Sequence, residues 1–136
     1  MIEEKLKKYF AAQADVAAAY IYGSYARGKE GPGSDVDVAV LLAPYDPAAE
    51  RAKRALFMAE LSRLTRMVIH PVILNSASEA LLKQVLGKGQ CIQVNTPSAL
   101  SHFKMTAIAR IAEYGYYQQI FQRGVIRQIM GGEDHG

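Results

Sequence analysis

The chain has 136 residues, half of them hydrophobic and 21% charged, with a formal net charge of +3. This length predicts one domain with a real core, and no apolar stretch approaches the roughly 20 residues that span a bilayer. The charged start Met1-Ile2-Glu3-Glu4-Lys5 lacks a signal-peptide core. The single cysteine, Cys91, excludes an intramolecular disulfide, so a cytoplasmic protein is expected.

Ile2, Leu6, Tyr9 and Phe10 recur at helical spacing and predict a first amphipathic helix over about 2–13. The apolar run 17–22 predicts a strand ending at Gly23-Ser24, and a second strand runs from Asp35 to Leu42 after the connection Gly31-Pro32-Gly33. Pro44 and Pro47 interrupt the chain and open a helix over about 47–65. Met67 to Leu74 reads as a third strand, in which Pro71 requires an edge or a bulge. Ser76-Ala77-Ser78-Glu79 has capping-box spacing and predicts a helix of about ten residues. Gly87-Lys88-Gly89 ends it, and 90–94 forms a short fourth strand that contains Cys91 as a small packing residue.

From Pro97 a long C-terminal helix is expected to about 130, punctuated by Gly115 and Gly124. It carries Phe103, Tyr114, Tyr116, Tyr117, Ile120, Phe121, Ile126 and Ile129. These pack on the sheet or present an aromatic helical surface to a partner. No repeats or linkers divide the chain. The predicted fold is therefore α/β (α+β): a small mixed sheet of about four strands flanked by helices, with a core over about 1–96 and a helix over about 97–130.

The chemistry concentrates in residues 23–40. Side chains two apart on a strand share a face. Asp35 and Asp37 thus project together, about 6–7 Å apart along the strand, while Val36, Val38 and Val40 point into a core. Such carboxylates repel each other, and a hard divalent cation relieves that repulsion; Mg²⁺ binds through one or two carboxylates plus substrate phosphates. Gly23 allows positive φ and close backbone approach. Ser24, at a helix start, offers a hydroxyl and backbone N–H groups to an anion. An isolated Asp-x-Asp is usually solvated. The ordered succession of strand, anion turn, short helix, glycine loop and acidic strand is much more specific.

Gly23-Ser24-x-Ala26-Arg27-Gly28 followed by Ser34-Asp35-x-Asp37 resembles the signature of the DNA polymerase β-type nucleotidyltransferase superfamily. The short chain is similar to its minimal nucleotidyltransferase (MNT) branch, the antitoxins of HEPN–MNT toxin–antitoxin pairs. The resemblance implies that Gly23 and Ser24, with Arg27 and Ser34, bind the nucleotide triphosphate, and that Asp35 and Asp37 ligate catalytic Mg²⁺ (Mn²⁺ as the alternative). It implies ATP as substrate and a hetero-oligomer with a HEPN ribonuclease toxin. AMP transfer to a tyrosine of that toxin would silence it. No membrane or direct nucleic-acid role is implied.

That superfamily draws a third acid from the strand beside Asp-x-Asp. The matching stretch here, 68–74, has no Asp or Glu, and His70 falls at the expected place. His70 could replace the acid as a neutral ligand or a general base, and as a ligand it would favour a softer ion such as Mn²⁺ or Zn²⁺. Alternatively Asp35 and Asp37 suffice, since positioning and charge neutralisation supply most phosphoryl-transfer catalysis. In a third reading the chain keeps the fold and neutralises its partner by binding alone. Transfer to a small molecule is a further alternative, for which about 40 residues after the last strand give little enclosure.

Charge is uneven. Between Arg51 and Gln90 there are seven bases against two acids. Such a face is either a solvated helix surface or an attractant for triphosphate, nucleic acid or an acidic partner.

Overall fold

Val16–Tyr22 (β1) is buried along its whole length. A strand that is apolar on both faces must be covered on both, so β1 belongs in the middle of a sheet. The computed structural model describes residues 2–26, 35–113 and 119–131. In it, β1 pairs antiparallel with Val36–Leu42 (β2) on one side and with Gln90–Val94 (β4) on the other. Ile69–Ile73 (β3) joins β2 in parallel, giving the order β3-β2-β1-β4. The expected four-stranded mixed sheet is therefore observed. Pro71 lies on an edge strand, where its missing N–H costs little.

The two faces have separate cores. On one, Leu6 and Phe10 of Ile2–Ala11 (α1) and Phe57 and Leu61 of Glu50–Thr65 (α3) cover Val36, Val38 and Val40. Tyr9, Phe10 and Phe57 meet edge to face with ring centroids 5.2–6.3 Å apart, and each such pair adds about 1 kcal/mol beyond burial. On the other face, Tyr20, Tyr22, Ala39 and Leu41 pack under Leu82, Val85, Leu100, Ile111 and Ile129. Alternation along β2 thus sends the valines one way and Asp37, Ala39 and Leu41 the other.

Between β3 and β4 the expected capping box is not formed. Ser78, not Ser76, is the N-cap: its hydroxyl accepts from Leu81 N, and the helix Glu79–Leu82 (α4) runs into a π-turn over Lys83–Gly87. Ser76 instead ends a 3₁₀ turn, Leu74–Ser76, and its hydroxyl donates to Glu50 Oε2 at 2.9 Å. Of the two serines only Ser76 has an acid three residues on, yet its hydroxyl is taken by Glu50 and Ser78 caps the helix.

The C-terminal segment is helical from Pro97, as expected. It comprises Pro97–Glu113 (α5) and Gln119–Gly131 (α6). The second lies back against the first, because Lys104 Nζ donates to the Ile129 carbonyl at 3.3 Å. Lys104 is only 2% exposed. Gly115 and the aromatic positions Tyr114, Tyr116 and Tyr117 lie outside the described residues, as do the side chains of Ile120 and Phe121. Among the described residues, no helix is long and apolar enough to cross a membrane.

Candidate functional site

β1 ends where Gly23 turns the chain into the four-residue helix Gly23–Ala26 (α2). Gly23 has φ +76°, a conformation that side chains other than glycine rarely adopt. The register sets Tyr22 opposite Asp37, and the Asp37 carboxylate fills the space that a side chain at 23 would take. A Cβ on Gly23 would stand 2.5 Å from Asp37 Oδ2. The anion turn and the acidic strand are thus in direct contact, for two reasons visible in the sequence: a glycine at the turn and an acid at the first outward position of β2.

The parallel register of β2 and β3 sets Asp37 beside His70. His70 Nε2 lies 2.8 Å from Asp35 Oδ2, with both side chains half exposed. Three residues expected from sequence to form a site, Asp35, Asp37 and His70, are brought together, and Gly23 completes the wall. Arg27 and Ser34 lie outside the described residues, and Ser24 is described only as part of the α2 backbone.

Burial pushes the Asp37 carboxyl above its ordinary range; the His70 side chain pulls it down and the Asp35 charge pushes it up again. Burial, then the nearby Asp37 charge, raises the Tyr22 phenol to about 12. Both shifts mark a partly desolvated pocket of negative charge. Such a pocket gains when a cation enters. Among the described residues no three His, Cys, Asp or Glu side chains form a complete metal-holding group. The donor set fits a hard cation only in part: two carboxylates supply oxygens and a bound phosphate would supply others, as Mg²⁺ sites commonly require. Glu79 is not a third member. It pairs with Arg110 Nη2 at 3.2 Å on the α4–α5 side.

Two features escaped sequence reasoning. Tyr22 abuts Asp37 through sheet register, which no local pattern reveals. Arg51 and Arg54 line a groove with His70; the excess of bases in that segment was legible, but not its position beside the site.

The family described as polymerase beta, nucleotidyltransferase, matches residues 4–97. No curated protein matches the sequence. Solved structures do. A toxin–antitoxin with AMP-PNP is 25% identical, with a TM-score of 0.68 over 96% of this chain and 99% of that one. A mutant of the toxin–antitoxin MntA-HpeT is also 25% identical, with a TM-score of 0.65 over 94% and 97%. The MNT antitoxin in complex with tri-AMPylated HEPN toxin from Shewanella oneidensis is 24% identical and shares the fold, with a TM-score of 0.62 over 95% and 96%. The match over residues 4–97 takes in most of α1, all of α3, the Gly-Ser turn, Asp35, Asp37 and all four strands, and the chain belongs to the polymerase beta nucleotidyltransferase family.

Proposed function

We propose that this chain is the antitoxin of a HEPN-type toxin and transfers AMP from ATP to a tyrosine hydroxyl of that toxin. The observation that carries the reading is the contact of the Asp37 carboxylate with the Gly23 turn, with Asp35 and His70 beside it. The family match and the likeness to a toxin–antitoxin bound to AMP-PNP support the substrate and the partner.

Gly23 and Ser24, with Arg27 and Ser34, hold the triphosphate. Asp35 and Asp37 hold the divalent cation. When bound, Mg²⁺ neutralises charge on the phosphates and screens the two carboxylates from each other. The tyrosine oxygen attacks the α-phosphorus, a new O–P bond forms, the bond from that phosphorus to the bridging oxygen breaks, and pyrophosphate leaves. The phenolic proton passes to the free nitrogen of His70, whose Nε2 is turned to Asp35. A carboxylate that orients an imidazole in this way favours the tautomer able to accept a proton.

Incubation of the chain with the neighbouring HEPN protein, α-labelled ATP and Mg²⁺ or Mn²⁺ tests this. Label on the HEPN protein, lost in the Asp35→Ala/Asp37→Ala variant, is the expected result. The replacement of an acid by His70 favours a second reading, neutralisation by binding without chemistry. A tight complex that never acquires label would establish that reading instead.

A further inference from the structure

The outer edge of the sheet carries a second feature. β3 is an edge strand, and between it and α3 runs a groove of about 460 Å³ lined by Arg51, Arg54, Ala55, Met58, His70, Pro71 and Val72. Arg51, Arg54 and Ala55 are exposed, and Met58 is 44% exposed. Among the described residues neither arginine makes an ion pair or side-chain hydrogen bond. Glu50, the acid at helical spacing from Arg54, is engaged by the hydroxyls of Tyr45 and Ser76. Two cations thus face an apolar trough without compensation.

The groove has a direction. Glu50 at the start of α3 bonds Ser76, just beyond the end of β3. Ser62, near the end of α3, accepts from Ile69 N at the start of β3. α3 and β3 therefore run antiparallel, with the arginines toward the far end and Met58 toward His70. His70 belongs to the groove and to the Asp35 pair at once.

We infer that this groove docks an acidic, extended segment of the protein acceptor, with the reacting hydroxyl at the His70 end and a carboxylate at Arg51 and Arg54. The inference rests on the reading of the chain as a transferase acting on a partner protein. From Met58 to Arg51 the helix rises about 10 Å, which an extended chain covers in about three residues. The acid thus sits about three residues from the tyrosine. Among the described residues no strand lies beside the outer edge of β3, so an extended segment can run along it even though Ile69 N is taken by Ser62 and Pro71 lacks an N–H, and Met58 supplies an adaptable apolar contact. A nucleic-acid strand fits less well: its phosphates would approach the Asp35 carboxylate, and among the described residues no Phe, Tyr or Trp lines the trough for a base to stack on.

The test compares the full chain with its Arg51→Glu/Arg54→Glu variant for binding to the HEPN partner and to Mg·ATP by calorimetry, alongside label transfer. The expected result is a partner Kd raised at least tenfold, weaker salt dependence, and an unchanged Kd for Mg·ATP. Changing an acid about three residues from the labelled tyrosine to Lys restores binding of the variant. An unchanged partner Kd overturns the inference, as does a variant that loses only affinity for an RNA oligonucleotide. If wild type binds the partner without labelling it, the transfer reading fails while the variant's Kd still decides the groove. Should the double reversal not fold, Arg51→Gln/Arg54→Gln is measured the same way, with a threefold or larger rise expected.

Discussion

His70 Nε2 stands 2.8 Å from Asp35 Oδ2 while its backbone lies level with Asp37. A single residue on β3 thereby touches one acid and neighbours the other, at the position where the resemblance to polymerase β-type enzymes implies a third carboxylate. Its contact orients Asp35 and reduces the accumulation of negative charge that three acids would create.

The first prediction concerns that contact. His70→Ala should lower label transfer about 100-fold or more, the usual cost of losing a proton acceptor, while partner binding weakens far less than in the Arg51→Glu/Arg54→Glu variant. His70→Asp should restore transfer in Mg²⁺ and lower Tm when metal is chelated, because a third like charge then goes unscreened. Transfer unchanged in His70→Ala would remove His70 from the mechanism.

Gly23 is the second. Alanine there meets both a left-handed backbone and a Cβ 2.5 Å from Asp37 Oδ2. The strain costs about 1–2 kcal/mol, and the acid must swing away. Chemical denaturation should show that loss, and transfer should fall below a hundredth of wild type. An active, equally stable Gly23→Ala protein would contradict the close approach.

The third uses the raised carboxyl of Asp37. A folded state that holds this proton more tightly than the unfolded chain is helped fully below the ordinary value of 3.8, and that help is lost as pH rises through the folded value. At pH 7 the charged group therefore opposes folding, by less than about 1 kcal/mol given its partial exposure. Asp37→Asn should be the more stable protein at pH 7 and lose that advantage in acid, though inactive. Mg²⁺ should raise the Tm of wild type and not that of the variant. Tm values at both pH values, with and without Mg²⁺, check all of this.

The fourth concerns the fold alone. Asn95 Nδ2 donates to the carbonyls of Phe10 and Val16 at 2.8 and 2.9 Å, tying α1, β1 and β4 together. Asn95→Ala should cost about 1–3 kcal/mol, the usual penalty for leaving such groups unpaired. The loss should appear in urea midpoints with the m-value unchanged.

Local pattern made most of the frame legible. The all-buried run 16–22, the alternation from Asp35 to Leu42 and the proline at an edge strand all follow from which side chains tolerate which neighbours. The choice of Ser78 over Ser76 as cap was not legible, since it depended on Glu50, 26 residues away. The return of α6 along α5 was not legible either. It rests on the buried Lys104 reaching the Ile129 carbonyl, a partnership that helical periodicity cannot encode.

The sequence by itself determined the fold family and the succession of the Gly23 turn and the acids Asp35 and Asp37, because the spacing of a turn and an acidic strand is local information. Only the tertiary structure decided what His70 does and where Arg51 and Arg54 act. Both depend on the parallel register of β3 on β2 and on α3 crossing antiparallel over that edge, and contacts between distant segments are set by burial of the whole sheet rather than by any stretch of it.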